Sequence, residues 1–263
     1  MKRKKEIFYL VSLISGILIM FFILLPLIKM ITQPSISSLK EAIKDKEVIK
    51  AISLSLYASG MAALISLIIG TPFAFLLARK DFIGKRFIES VIDLPIVIPH
   101  PVVGIAILSV VGKNYWLGEF LYKMGIKVMG SVTGIITVLT FVGMPFYINS
   151  VKDGFLSISP RIENISRTLG ASMTQTFFRI TLPLALKSML VGIIMCIARA
   201  ISEFGAVVIV AYHPMVAPVL IYERFEAYGL KYSQPVAVLL IIVCLILFFI
   251  LRIISLTKKE KAL

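Results

Sequence analysis

From Ile7 to Ile28 the chain carries no Lys, Arg, Asp or Glu, and Val236 to Leu251 is equally free of charge. An uncharged apolar run of about 20 residues matches the hydrocarbon thickness of a bilayer, whereas a soluble core helix seldom needs one. Composition points the same way: 59% of the 263 residues are hydrophobic and only 16% are charged. Mean hydropathy is +0.97, while soluble domains are about a quarter charged. The chain is therefore expected in a membrane. There every backbone polar group must be satisfied within its own segment, which leaves helices or a closed barrel. The alternating segments of about ten residues that a barrel needs are missing, so the expected class is an all-α integral membrane protein.

Six apolar segments emerge, at about 7–29, 51–78, 88–112, 131–151, 184–212 and 234–254, and each is read as one helix. The first follows Lys2-Arg3-Lys4-Lys5, as a secretory signal would. It is too long for a signal's apolar region of about 7–15 residues and lacks an Ala-x-Ala site, so it reads as a retained helix. The formal charge of +14 is scattered over helix ends, unlike a nucleic-acid-binding face. Lys2–Lys5, Arg79, Lys80, Lys85, Arg86, the basic residues between Lys152 and Lys187, and Arg252 with Lys258, Lys259 and Lys261 all fall on one side. The other side carries fewer, so both termini are expected to be cytoplasmic. Cys196 and Cys244 lie inside apolar stretches without metal-ligand spacing and read as packing residues.

The segment between Lys152 and Pro183 is the largest part expected in the cytoplasm. Ser159-Pro160 supplies an N-cap followed by proline at the first helical position, where its missing N–H costs nothing. Ile158, Ile162, Ile165 and Leu169 recur at spacings of 4, 3 and 4 and form one apolar stripe. Gly170 supplies a left-handed C-terminal residue. Ser172-Met173-Thr174-Gln175 reads as a capping box opening a second helix that ends at Leu182-Pro183. Such a hairpin could simply join two spans, but an exposed apolar stripe also marks a partner site.

The order Asn164-Ile165-Ser166, three residues, Gly170, nine residues, Ile180-Thr181-Leu182-Pro183 resembles the E-A-A-x3-G-x9-I-x-L-P loop of ABC importer permeases. The glycine-to-proline half fits at each fixed position. The first half departs, with Glu163 one residue early. The resemblance implies six membrane-spanning helices: an N-terminal helix and external loop in 1–47, a five-helix type I core in 48–254 holding a coupling loop at 152–183, and a tail at 255–263. It also implies that Glu163, Arg167, Leu169, Gly170, Ala171 and Ser172 dock on an ATP-binding subunit. Ala198 to Ala206 resembles the fifth-helix segment of molybdate, tungstate and sulfate permeases, while Leu94 to Gly104 and the stretch from Tyr212 to Phe225 are similar to the molybdate/tungstate branch. Together they favour tungstate or molybdate, with sulfate or thiosulfate as the near alternative.

Within these stretches His100, Arg199, Ser202 and Glu203 are the candidates for a translocation path. Arg199 and Glu203 are four residues apart and share a helix face. A structural ion pair is the preferred reading over a dianion contact, because Glu203 would cancel much of the attraction. His100, between Pro99 and Pro101, is expected to bond carbonyls freed by those prolines. Asp93 is expected to face water or a basic partner, and Glu223-Arg224 to lie at the pore mouth.

The resemblance further implies a cell-membrane, multi-pass permease working as a homodimer with two ATP-binding cassette subunits and an external oxyanion-binding protein. The chain itself would hold no metal or cofactor, ATP–Mg being bound by the ATPase, and would not be an enzyme. No P-loop, His-Glu-x-x-His or Gly-x-Ser-x-Gly motif occurs. An ion-coupled secondary transporter remains a distant alternative, with no internal repeat to support it.

Overall fold

The computed structural model describes residues 2–260, with side chains described for residues 9–253; the basic clusters at Lys2–Lys5 and in the 255–263 tail lie outside the described side chains. Among the described residues there are helices and turns but no strand. Five helices are long and apolar enough to cross a membrane, and a bent pair makes a sixth crossing.

Among the described residues helix α1 (Lys2–Thr32) packs chiefly on the last long helix, and its apolar window is 0% buried. A helix apolar on every side and unburied by its own chain faces lipid. A short helix, α2 (Ile36–Lys44), leads to α3 (Lys46–Arg79). Asp45 caps α3 by accepting from the Glu47 N–H at 2.8 Å, and Glu47 suits the positive end of its dipole. The face that α3 buries is small: Ala51, Ser55, Ala58, Ala62, Ser66 and Gly70 lie along it. Small residues let α3 approach α7 (Val132–Ser157), its most extensive partner. Tyr147 of α7 fills the one large gap. Its ring lies so close to Gly70 and to Gly192 of α10 (Leu182–Ile201) that a Cβ at either glycine would fall 3.0 Å from it. Its hydroxyl lies 2.7 Å from Thr71 Oγ1, so three helices are registered by one fully buried side chain.

The apolar segment 88–112, expected as one helix, is two. Helix α4 (Lys85–Val97) and helix α5 (His100–Val111) meet at an angle of 115°. Pro99 removes a backbone donor at the joint and restricts Ile98 to its extended conformation. Asp93 accepts from Asn149 Nδ2 at 2.7 Å and Glu89 from Lys152 at 3.1 Å, so α4 is pinned to α7. Asp93 thus has a neutral partner rather than a basic one, and its side chain stays partly exposed. The segment 184–212 is also broken: α10 stops at Ile201, and α11 (Gly205–Val210) follows after three residues.

Short helices α6 (Trp116–Lys123) and α12 (Ala217–Tyr228), with α2, cover one end of the bundle, where loops were expected. The last helix, α13 (Leu230–Glu260), starts at that end, where Gln234 donates to Gln33 at 3.3 Å. It then runs back antiparallel to α10, so both terminal helices point to the opposite end. Arg224 of α12 donates to Asp45 Oδ2 at 2.6 Å and to Glu47 Oε2 at 3.2 Å, clipping α12 to the start of α3.

Burial opposes the charge on Asp45, yet hydrogen bonds from Arg224 and from the Glu47 and Val48 N–H groups outweigh it and hold its carboxyl below the ordinary aspartate value. A lowered pKa means the clip contributes above the ordinary carboxylate range and is lost as pH falls through the folded value. Acidification below the ordinary carboxylate range is expected to loosen α12, and Arg224→Ala to abolish that acid-dependent step. Amide exchange over 217–228 against pH checks this; a profile that ignores the substitution would show that the clip contributes nothing.

Candidate functional site

At the end opposite α2, α6 and α12, the chain after α7 forms a hairpin. Helix α8 (Pro160–Thr168) is capped by Ser159, whose side chain accepts from the Arg161 N–H at 3.4 Å. Gly170 takes φ +91°, and its N–H bonds to Arg167 O while that of Ala171 bonds to Ser166 O. These two bonds form a Schellman closure, which a β-carbon at that φ would strain. Ser172 and Gln175 exchange side-chain-to-backbone bonds at 3.1 and 2.9 Å, completing the expected capping box of α9 (Met173–Thr176). Ser166 Oγ lies 3.1 Å from Thr176 Oγ1 and ties the two arms together.

The second arm does not end at Leu182-Pro183 as expected. It continues through a π-helical turn, Phe177–Thr181, directly into α10. The Leu182 N–H reaches back to Phe177 O, and this wider register accommodates Pro183, which has no N–H of its own. The hairpin is therefore joined rigidly to a membrane-crossing helix.

The six docking candidates divide. Arg167, Leu169, Gly170 and Ser172 are exposed at the tip, Leu169 at 84%, and Ala171 is half-buried. Glu163 is different: it turns inward. Arg79, at the end of α3, donates to Glu163 Oε1 from Nε at 2.9 Å and from Nη2 at 2.7 Å. The same guanidinium donates to Phe155 O at 2.7 Å and Ile158 O at 3.1 Å, and Thr181 Oγ1 donates to Glu163 at 3.1 Å. Both side chains are nearly buried, at 10% and 14% exposure. The ends of α3 and α7, the base of α8 and the π turn are thus held by one ion pair, and Glu163 anchors the hairpin rather than presenting it. Arg79 escaped sequence reasoning, where it counted only as one basic residue at a helix end. The partners lie 84 positions apart, and no spacing rule connects them.

A second cluster forms where the two broken segments meet. Cys196 Sγ lies 3.6 Å from Ser66 and packs on Gly143, which stand near the middle of the long helices α3 and α7. Arg199 is one turn further along α10, so it lies close to the mid-height of the bundle. It donates from Nη2 to Glu203 Oε2 at 2.7 Å, and His100 Nδ1 lies 2.9 Å from the same oxygen. The His100 nitrogens are also 2.8 and 3.0 Å from Arg199 Nη2. Glu203 Oε1 accepts from the Ala206 N–H at 2.9 Å, in the first turn of α11. The expected Arg199–Glu203 pair is present. His100 joins it instead of bonding the carbonyls freed by Pro99 and Pro101. Ser202 stays apart, lining an apolar groove between α10 and α13. Helices α5 and α11 touch backbone to backbone here: a Cβ on Gly104 would fall 2.8 Å from Ala206 O.

A bundle of membrane-crossing helices, with a charged cluster at mid-height where two of its segments break and a rigid exposed hairpin at one end, defines a multi-pass transport subunit. Residues 70–258 match the family described as binding-protein-dependent transport system inner membrane component. The chain belongs to that family, the membrane-spanning permeases of ABC importers. It is 46% identical over 236 residues, 90% of this chain and 92% of the other, to the molybdate/tungstate transport system permease protein WtpB of Methanocaldococcus jannaschii. Likeness to a probable sulfate transport system permease protein of Zygnema circumcarinatum is weaker, at 29% over 97% of this chain and 90% of that one. Among solved structures, a bacterial alginate ABC transporter in complex with an alginate pentasaccharide-bound periplasmic protein shares the fold. Its TM-score is 0.75 at 18% identity, over 97% of this chain and 96% of that one.

Proposed function

We propose that this chain is the permease subunit of an ATP-driven importer of molybdate and tungstate, and that two copies form the pathway at their mutual interface. The observation that carries the substrate class is the 46% identity, over nine-tenths of both chains, to a molybdate/tungstate permease. The end bearing the α8–α9 hairpin and both termini is the cytoplasmic end, in keeping with its richer endowment of Lys and Arg. There the exposed Arg167, Leu169, Gly170, Ala171 and Ser172 dock on an ATP-binding subunit, which binds ATP–Mg and performs the hydrolysis. The opposite end receives an external oxyanion-binding protein.

A doubly charged oxyanion cannot cross hydrocarbon unaided, and a negative interior opposes its accumulation. Closing two ATPase subunits would draw the two hairpins together. Because each hairpin is continuous with α10 and pinned by Arg79 to α3 and α7, that displacement reaches the helices around the Arg199 cluster. The unit that moves is the five-helix core at 48–254, with α1 riding outside on α13. The charged cluster at the helix breaks is the part of the chain exposed to the path.

Proteoliposomes holding this chain with its ATPase and binding protein are expected to accumulate tungstate and molybdate only when ATP is supplied, as read by elemental analysis of the vesicles. Sulfate uptake with tungstate excluded would overturn the substrate class and keep the architecture. Uptake that follows an ion gradient and ignores ATP would overturn the coupling.

A further inference from the structure

Glu203 is a carboxylate with 1% side-chain exposure, at mid-height in a bundle whose proposed cargo is itself a dianion. Its placement is fixed at both oxygens, by Ala206 N–H on one and by Arg199 and His100 on the other. Arg199, by contrast, is only partly committed. All its hydrogen bonds run through Nη2, so its Nε and Nη1 N–H groups have no partner among the described residues. The guanidinium retains 18% exposure, and His100, on the rim of the cluster, retains 41%. Free guanidinium N–H groups facing lipid at this depth would be costly, and such groups instead face a wet cavity. Oxyanions are recognised by the planar fork of donors that a guanidinium offers, two at a time.

We propose that the free Nε–Nη1 edge of Arg199, with His100 beside it, is a transient station for the tetrahedral dianion, and that Glu203 is a resident counter-anion that keeps this station weak. The inference rests on the oxyanion-permease reading above. Arg199 and Glu203 sum to zero charge, so an arriving dianion gains directional hydrogen bonds but little net attraction from the pair. A path needs that balance: a site must be favourable enough to enter and weak enough to leave. A bare arginine at low dielectric would hold the anion, and a carboxylate a few ångströms away weakens such binding by well over tenfold at a protein-like dielectric.

The test compares wild type with Glu203→Gln and His100→Lys. Glu203→Gln removes the negative charge and keeps one acceptor oxygen, for the Ala206 N–H or for Arg199 but not for both. His100→Lys adds a positive charge at the most exposed member of the cluster and serves if the buried substitution prevents assembly. The permease–ATPase complex in nanodiscs, without the binding protein, is equilibrated with tungstate, and bound tungsten is measured after rapid gel filtration. Both variants are expected to retain at least about tenfold more tungsten than wild type, and to show slower turnover in uptake at saturating tungstate. Retention and turnover equal to wild type in assembled variants would overturn the station and leave a structural ion pair. That outcome is distinct from failure of the functional reading, in which the wild-type complex with its binding protein would take up no tungstate or molybdate.

Discussion

Arg79→Ala is expected to abolish ATP-driven uptake while leaving the membrane bundle assembled. The substitution strips Glu163 of its cation and removes the guanidinium bonds to the carbonyls of Ile158 and of Phe155, the latter still accepting from the Ile158 N–H, at a site where both charged side chains are nearly buried. Removing one partner of a buried pair costs about 3–5 kcal/mol, because the other charge stays behind unpaired. The second arm is held separately, by Phe177 packed on Phe75 and Phe155, so the loss falls on the docking of α8. Amide exchange over 159–171 is expected to accelerate, with α3 and α7 protected as before. Arg79→Lys cannot restore function, since a single ammonium cannot span Glu163 and two carbonyls in fork geometry. Arg79→Ala combined with Glu163→Ala is expected to be less destabilising than the two changes summed, as required for residues in one network. Wild-type exchange in the single variant would show that Arg79 is not the clamp.

Gly170→Val is expected to uncouple ATP turnover from transport. Nothing lies within 4 Å of a Cβ built at Gly170, so bulk meets no clash within the chain. The penalty is conformational: φ is +91°, and a left-handed residue costs a side chain about 1–2 kcal/mol, more for a β-branched one. A cost of that size shifts the population of the native hairpin tip by roughly 5- to 30-fold. The tip would relax by opening the Gly170 and Ala171 bonds to α8, which displaces Leu169 from its exposed position. The expected readout is a membrane-assembled complex that hydrolyses ATP with little tungstate uptake per ATP. Normal uptake per ATP would remove the α8 tip from the docking surface.

Local chemistry was legible in the sequence and long-range chemistry was not. Charge-free runs marked α1, α3, α7 and α13, because in a membrane one property, apolarity over a sufficient length, decides the element. The caps at Ser159, Gly170 and Ser172 were readable because each depends on bonds within a few residues. The bend at Ile98-Pro99 and the gap at 202–204 were hidden inside continuous apolar character, which marks depth in a membrane and says nothing of direction. Prolines 95, 99 and 101 signalled a disturbance, but proline in a membrane helix is compatible with a mild kink as well as with a 115° turn. The π turn was invisible for a similar reason: Pro183 normally reads as a stop. Arg199 and Glu203 could be paired by their four-residue spacing, whereas His100 reaches them only because α5 folds back against α11. The inward turn of Glu163 follows from Arg79, far away in the chain.

The sharp angle between α4 and α5 also bears on how the protein is made. With 13 and 12 residues, each half is about 18–20 Å long, well short of the roughly 30 Å of hydrocarbon that a stable solitary span must cross. The backbone ends exposed at the joint cannot be left against lipid, and the principal surface that shelters α5 belongs to α11, which leaves the ribosome much later. Helices α1 and α3 can be released into the bilayer as they emerge. The α4–α5 pair cannot, and must be retained at the insertion machinery, or held against α7, until the α10–α11 segment arrives. Truncations that end before residue 205 would then strand a half-inserted segment, the kind of surface that membrane quality control recognises.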